Sequence, residues 1–127
     1  MIAATRVALA VSLVSFVVAN SLGLAVGVGL LPYYWRPAHA HLNLLGFVTS
    51  MIYGVAYHAV PRFRGVPFRR PRLALVQVVV ATTGMLGMVL GFGFLLGTTW
   101  FAVFGGLAWL ASLGFAAMLA EVLFKKR

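Results

Sequence analysis

The residues of this chain that could do chemistry are few, and they cluster. The run His39-Ala40-His41-Leu42-Asn43 brings together two of the three histidines and an asparagine, with Arg36 just ahead of them. The remaining candidates are His58, the single acidic residue Glu121, and the thioethers of Met85 and Met88. There is no cysteine, so disulfides, thiolate metal sites and thiol catalysis are excluded together. An imidazole can hold a metal, carry a proton or serve as an axial ligand to haem iron. On a helix, residues two apart point roughly 200° away from each other, so His39 and His41 cannot serve one metal from a single side. His39 lies in line with Asn43, Gly46 and Ser50, whereas His41 shares its face with Leu45, Val48 and Ile52. An imidazole above a wall of Leu, Val and Ile suits haem, a flat apolar disc that needs an axial nitrogen and a dry pocket.

The elements that must position these groups follow from composition. Of 127 residues, 63% are hydrophobic and the formal net charge is +9. Mean hydropathy is +1.05, too apolar for a soluble domain of this size. Uncharged stretches run over 7–35, 37–61 and 73–120. The first two are each one membrane crossing. The third would make a helix of roughly 70 Å, about twice the hydrocarbon thickness, so it must fold back, with Gly97-Thr98-Thr99 as the hinge. The expectation is an all-α integral membrane protein: a single four-helix transmembrane domain over 1–127, with spans at about 7–31, 38–60, 73–96 and 99–123. The first span exceeds a signal-peptide core and lacks an Ala-x-Ala site, and is read as a retained helix.

Arg6, the five arginines of the second connection (Arg62, Arg64, Arg69, Arg70 and Arg72), and Lys125, Lys126 and Arg127 fall on one side of such a bundle, and Arg36 alone on the other. The positive-inside rule then makes both termini cytoplasmic, in a multi-pass protein of a bacterial inner membrane. The basic loop reads as topology or contact with anionic lipid headgroups. Pro61, Pro67 and Pro71 leave a short kinked turn rather than a surface that reads nucleic acid.

Lipid gives helices no hydrophobic reason to associate, so packing faces are sought in small residues. The first span offers Ser15, Ala19, Gly23 and Gly27, the second Asn43, Gly46, Ser50 and Gly54, the third Gly87 and Gly91, and the fourth Gly105, Ala108, Ser112 and Ala116. Small-residue strips on every helix exceed what one bundle needs and point to a homo-oligomer. His58 lies roughly 25 Å along the helix from His41 and reads as an interfacial residue beside Tyr53 and Tyr57. Arg36 either anchors the interface with Tyr33, Tyr34 and Trp35 or pairs with haem propionates. Met85 and Met88 are candidates for a sixth ligand but fit better as gap-filling core. Glu121 pairs in this reading with Lys125, four residues on.

The run from His39 through Gly46, continuing as Tyr53-Gly54-Val55-Ala56-Tyr57-His58-Ala59-Val60-Pro61-Arg62, resembles the second helix of the catalytic subunit of haem–copper oxidases, most closely the nitric oxide reductase and cbb3-type branches. In that family a His-x-Asn sequence near the outer membrane surface ligates the low-spin haem, and an aromatic pair followed by proline ends the helix. The resemblance implies haem b as cofactor, His41 as axial ligand within His41-Leu42-Asn43, and support from His39, Arg36 and Asn43. It implies no copper site, because nothing resembles the copper-site helix. With about a third of the family's twelve-helix core, the chain would assemble as a homo-oligomer, for example a trimer, in which a neighbour supplies the opposite ligand. The function expected from this resemblance is haem binding, with electron transfer or diatomic-gas binding, alongside an electron donor or a respiratory complex. The alternative is a haem-free accessory or assembly subunit of a respiratory oxidase or nitric oxide reductase. A complete oxidase is not expected, since no copper or non-haem iron ligand set is visible.

Overall fold

The computed structural model describes residues 1–124. These form four helices long and apolar enough to cross a membrane, and no strand is present among them. We label them α1 (Ala3–Gly27), α2 (Tyr33–Arg64), α3 (Pro71–Gly93) and α4 (Thr98–Phe124). The basic residues Lys125, Lys126 and Arg127 lie outside the described residues, and so does the Lys125 partner expected for Glu121.

Helix ends follow local chemistry. Helix α1 stops at Gly27 because Gly29 takes φ +78°, and the N–H groups of Gly29 and Leu30 then close back on the carbonyls of Val26 and Ala25. Helix α2 ends in the same way on Gly65, at φ +63°, with Gly65 and Val66 donating to Arg62 and Pro61. This is the glycine-centred closure that satisfies orphan carbonyls at a helix C-terminus. After α3 the corresponding left-handed residue is Leu95, at φ 54°, and Leu96 donates to Gly91. A side chain there is disfavoured, by roughly 1–2 kcal/mol. The hinge expected at Gly97-Thr98-Thr99 is therefore a turn centred just before it. Gly97 has φ +89° and α4 resumes at Thr98.

Helix α2 is longer than the expected 38–60 at both ends. A 3-10 turn at Tyr33–Trp35 leads into an α-helical segment, Arg36–His41, because Pro37 sits in the first turn where its missing N–H is harmless. At the other end the helix runs through Pro61 to Arg64. Between them, Leu42–Thr49 is π-helical. The hydroxyls of Thr49 and Ser50 donate to the carbonyls five residues back, Leu44 and Leu45, at 2.8 and 3.1 Å. From α1, Ser12 reaches the Phe47 carbonyl at 2.9 Å. Three hydroxyls thus serve carbonyls in the widened segment, where lipid offers no alternative partner.

The bundle is built on close backbone approach. Helix α1 turns Ala4, Thr5, Ala8, Ser12, Ser15 and Ala19 inward. A β-carbon on Gly46 would lie 2.6 Å from Ser15 Oγ, and one on Gly54 would lie 2.8 Å from Leu9. The strip expected over Ser15, Ala19, Gly23 and Gly27 thus continues toward the N-terminus instead, and Gly27 has open space around it. Helices α3 and α4 meet at Gly84, Gly87 and Gly91, against Ala108, Phe104 and Trp100. Trp100 Nε1 donates to the Gly87 carbonyl at 2.7 Å. On α4 only Ala111, Met118 and Val122 are buried, and Ala116 is exposed.

A β-carbon at Gly87 would fall 2.0 Å from the Phe104 ring. Gly87→Ala is expected to destabilise the bundle by about 1–3 kcal/mol, as overpacking does. Gly106, which meets nothing within 4 Å, provides the control. Gly106→Ala should stay within about 0.5 kcal/mol of the parent in reversible unfolding in mixed micelles.

Candidate functional site

His39 and His41 leave α2 in opposite directions, as two residues on one helix must. His39 points at α1. Its Nδ1–H donates to the Ala19 carbonyl at 2.8 Å, since a carbonyl can only accept. The ring fits there because Gly23 has no side chain: a β-carbon would stand 2.6 Å from Cε1 and 2.8 Å from Nδ1. His41 points at α3 and α4. Its Nδ1–H donates to the Pro37 carbonyl one turn back, at 2.9 Å. The ring packs on Phe92, with centroids 4.7 Å apart, and edge-on to Phe101 at 6.3 Å.

Both imidazoles therefore have the same chemical set-up. With Nδ1–H fixed on a backbone carbonyl, the neutral ring carries its lone pair on Nε2, and neither Nε2 has a hydrogen-bond partner among the described residues. That is the arrangement a metal-ligating histidine adopts, its second nitrogen held by a carbonyl that fixes tautomer and orientation. Among the described residues no three His, Cys, Asp or Glu side chains come together to hold a bare ion. Single imidazoles of this kind suit a cofactor that brings its other ligands with it.

The two histidines differ in what surrounds them. His39 lines a cleft of about 360 Å³ with Gly23, Val26, Gly27, Tyr33 and Arg36. Arg36 is exposed, donates to the Tyr33 hydroxyl and lies over the Tyr33 ring at 5.4 Å. Arg36 thus shares a cleft with His39, three residues on, while His41 faces the other way. Trp35, by contrast, turns inward to pack on Gly93 and Phe94. The apolar wall expected beneath His41 is not one face. Leu45 packs toward Ala19, Leu42 and Met85, whereas Val48 and Ile52 are exposed. The π-helical segment changes the angular step after His41, so a wheel drawn at α-helical pitch goes out of phase. Asn43, at the start of that segment, is half-buried and makes no side-chain hydrogen bond among the described residues.

The other candidates lie apart. Met85 and Met88 are buried, Met85 in an apolar cluster with Ala19 and Leu42. Tyr53 and Tyr57 turn into the bundle rather than flanking His58: Tyr53 lies 3.2 Å from Ser112 Oγ, and Tyr57 donates to Gln77 Oε1 at 2.9 Å. This polar pairing was not anticipated. Its signal was Gln77 itself, the one carboxamide in the third uncharged stretch, since such a group in lipid requires a partner. Glu121 faces Arg70 at 3.2 Å and Arg69 at 3.8 Å across the turn between α2 and α3.

No protein-family model, curated protein or solved structure matches the chain. What it can do must be argued from these side chains.

The tautomer assignment is open to measurement. In protein labelled with 15N-histidine and held at alkaline pH, the neutral rings of His39 and His41 should each carry their proton on Nδ1, and Gly23→Ala should disturb the His39 signals while leaving those of His41. An Nε2-protonated His39 in the parent would contradict the hydrogen bond to Ala19.

Proposed function

We propose that the chain is a haem-binding membrane protein of a bacterial inner membrane, holding haem b through an imidazole of the His39-Ala40-His41 run. One observation carries the reading: His39 has its Nδ1–H locked on the Ala19 carbonyl and an unpartnered Nε2, in a cleft that also contains Arg36. In this reading His39 provides the axial nitrogen. Arg36 releases Tyr33 and pairs with a propionate, as guanidinium does with any carboxylate. Gly23 makes room for the His39 ring, and Gly27 leaves the cleft open beside it. His41, equally prepared at Nε2 but packed between Phe92 and Phe101, is the second candidate ligand. The resemblance of His41-Leu42-Asn43 to the haem-ligating helix of haem–copper oxidases supports haem as the group.

One chain lines the cleft from α1 and α2 and offers one axial imidazole in it. The open glycines Gly27 and Gly106 on α1 and α4 favour a second protein surface against these helices. A second copy there makes a homo-oligomer, for example a trimer, with a neighbour's imidazole opposite the first. Haem supplies a one-electron iron centre, suited to electron transfer with both axial positions filled and to binding a diatomic gas with one open. The same open glycines favour the second reading, a haem-free subunit packed beside a respiratory oxidase or nitric oxide reductase. Orientation follows the charges: Arg6 and the 62–72 arginines inside, Arg36 outside.

Protein purified from haem-replete bacteria should show a Soret band that shifts on dithionite reduction. His39→Ala is expected to abolish the band, and Arg36→Gln to weaken haem retention by about tenfold, the scale of one charge-assisted hydrogen bond. Loss of the band in His41→Ala with retention in His39→Ala would move the ligand to His41. A colourless, well-folded preparation would overturn the haem reading in favour of the accessory subunit. Carbon monoxide binding to the reduced protein separates an open site from a closed one.

A further inference from the structure

At the opposite end of the bundle from Arg36, charge is left unbalanced. Five arginines fall within 62–72, and Glu121 is the only acidic side chain in the sequence. It is already engaged by Arg69 and Arg70. The Arg62 side chain has no ion pair or hydrogen bond among the described residues, and it is exposed. Among the described residues nothing supplies its counter-charge.

Arg62 stands at the rim of a cleft of about 370 Å³ between the start of α1 and the end of α2, which it lines together with Ile2, Tyr57, His58, Val66 and Phe68. The rim and floor differ in chemistry. At the rim are a guanidinium and an imidazole. The floor is hydrocarbon and aromatic ring: Tyr57 is 2% exposed, its hydroxyl turned away to Gln77, and Phe68 packs against it with ring centroids 5.2 Å apart. The wall formed by Val66 and Phe68 is held in place from behind, because Arg69 and Arg70 tie the same turn to Glu121 on α4. Helix α1 begins at this cleft without a side-chain cap on Ile2, which leaves first-turn N–H groups and the positive end of its dipole on the same side.

We propose that this cleft binds the phosphate headgroup of an anionic phospholipid. Arg62 takes the phosphate, which guanidinium recognises through paired N–H donors, and His58 provides a second polar contact at the rim. The glycerol and the first acyl carbons lie on the floor of Ile2, Val66 and Phe68. That floor favours a lipid over free phosphate, which would satisfy Arg62 and leave the apolar surface bare. The cleft also lies at the end of a spanning helix, the depth at which headgroups reside. The proposal rests on the chain being a membrane protein and is independent of whether haem is bound.

The test uses the full chain, delipidated in mild detergent and examined by native mass spectrometry with added dioleoyl phosphatidylglycerol, dioleoyl phosphatidylcholine or inorganic phosphate. Both lipids carry the phosphodiester, but in phosphatidylcholine the choline ammonium neutralises it and meets the Arg62 guanidinium as a like charge, so phosphatidylglycerol is expected to bind about tenfold more tightly. Arg62→Gln should remove that preference. Arg72→Gln, on the exposed first turn of α3 and outside this cleft, should keep it. Because Arg62 is exposed and unpaired, its variant should retain the parent's circular dichroism and melting. Equal binding of the two lipids, or an unchanged preference in Arg62→Gln, overturns the proposal. Displacement of phosphatidylglycerol by millimolar inorganic phosphate overturns the choice of lipid in favour of a free anion.

Discussion

Close approach between α1 and α2 is the constraint on which most of the architecture depends. Lipid gives two apolar helices no reason to prefer each other, so their association needs backbone proximity and a few interhelical hydrogen bonds. The α1–α2 seam supplies both. Ser15 against Gly46, Leu9 against Gly54 and the His39 ring against Gly23 set the spacing. Ser12 on the Phe47 carbonyl and His39 on the Ala19 carbonyl set the register. A slide of one helix past the other would break both bonds and press side chains into glycine positions. The same contact that packs the bundle therefore fixes the orientation of the imidazole available for ligation.

The two ends of the molecule divide their work by charge. At one end Arg36 stands without a carboxylate near it, satisfied by the hydroxyl and ring of Tyr33, contacts that a stronger acceptor can displace. At the other end one carboxylate serves Arg69 and Arg70, and Arg62 and Arg72 have no carboxylate among the described residues. An exposed ion pair of this kind contributes about 0–1 kcal/mol to stability, so the Glu121 contacts matter more for where they hold the turn than for how strongly. Between the ends, two pairs of polar side chains meet across helices: Tyr57 with Gln77, and Tyr53 with Ser112.

Four spans, the fold-back near Gly97 and the opposed directions of His39 and His41 were legible in the sequence, because each follows from length, turn chemistry or helical pitch. The small residues of the second span also read correctly at Gly46 and Gly54. What could not be read was phase. The π-helical segment leaves no compositional mark in Leu42–Thr49, and it moved Leu45 away from Val48 and Ile52. Tyr53 and Tyr57 were misplaced for a related reason, since an aromatic near a helix end reads as interfacial unless its hydrogen-bond partner on another helix is known. That Arg36 joins His39 and not His41 depends on tertiary placement of Gly23 and Tyr33, which spacing along one helix does not encode.

The widened segment of α2 also bears on how this sequence can change over time. A π-helical stretch holds more residues per turn than the α-helix on either side. A one-residue deletion inside 42–49 is thus absorbed by tightening the coil, whereas a deletion between His41 and the Arg36 turn, or beyond Ser50, would rotate everything downstream. Helix α2 carries its own slack, placed between the half that presents the histidines and the half that carries the arginines. Tolerance to a change in length is thereby confined to 42–49, and the two halves themselves are held to their present lengths.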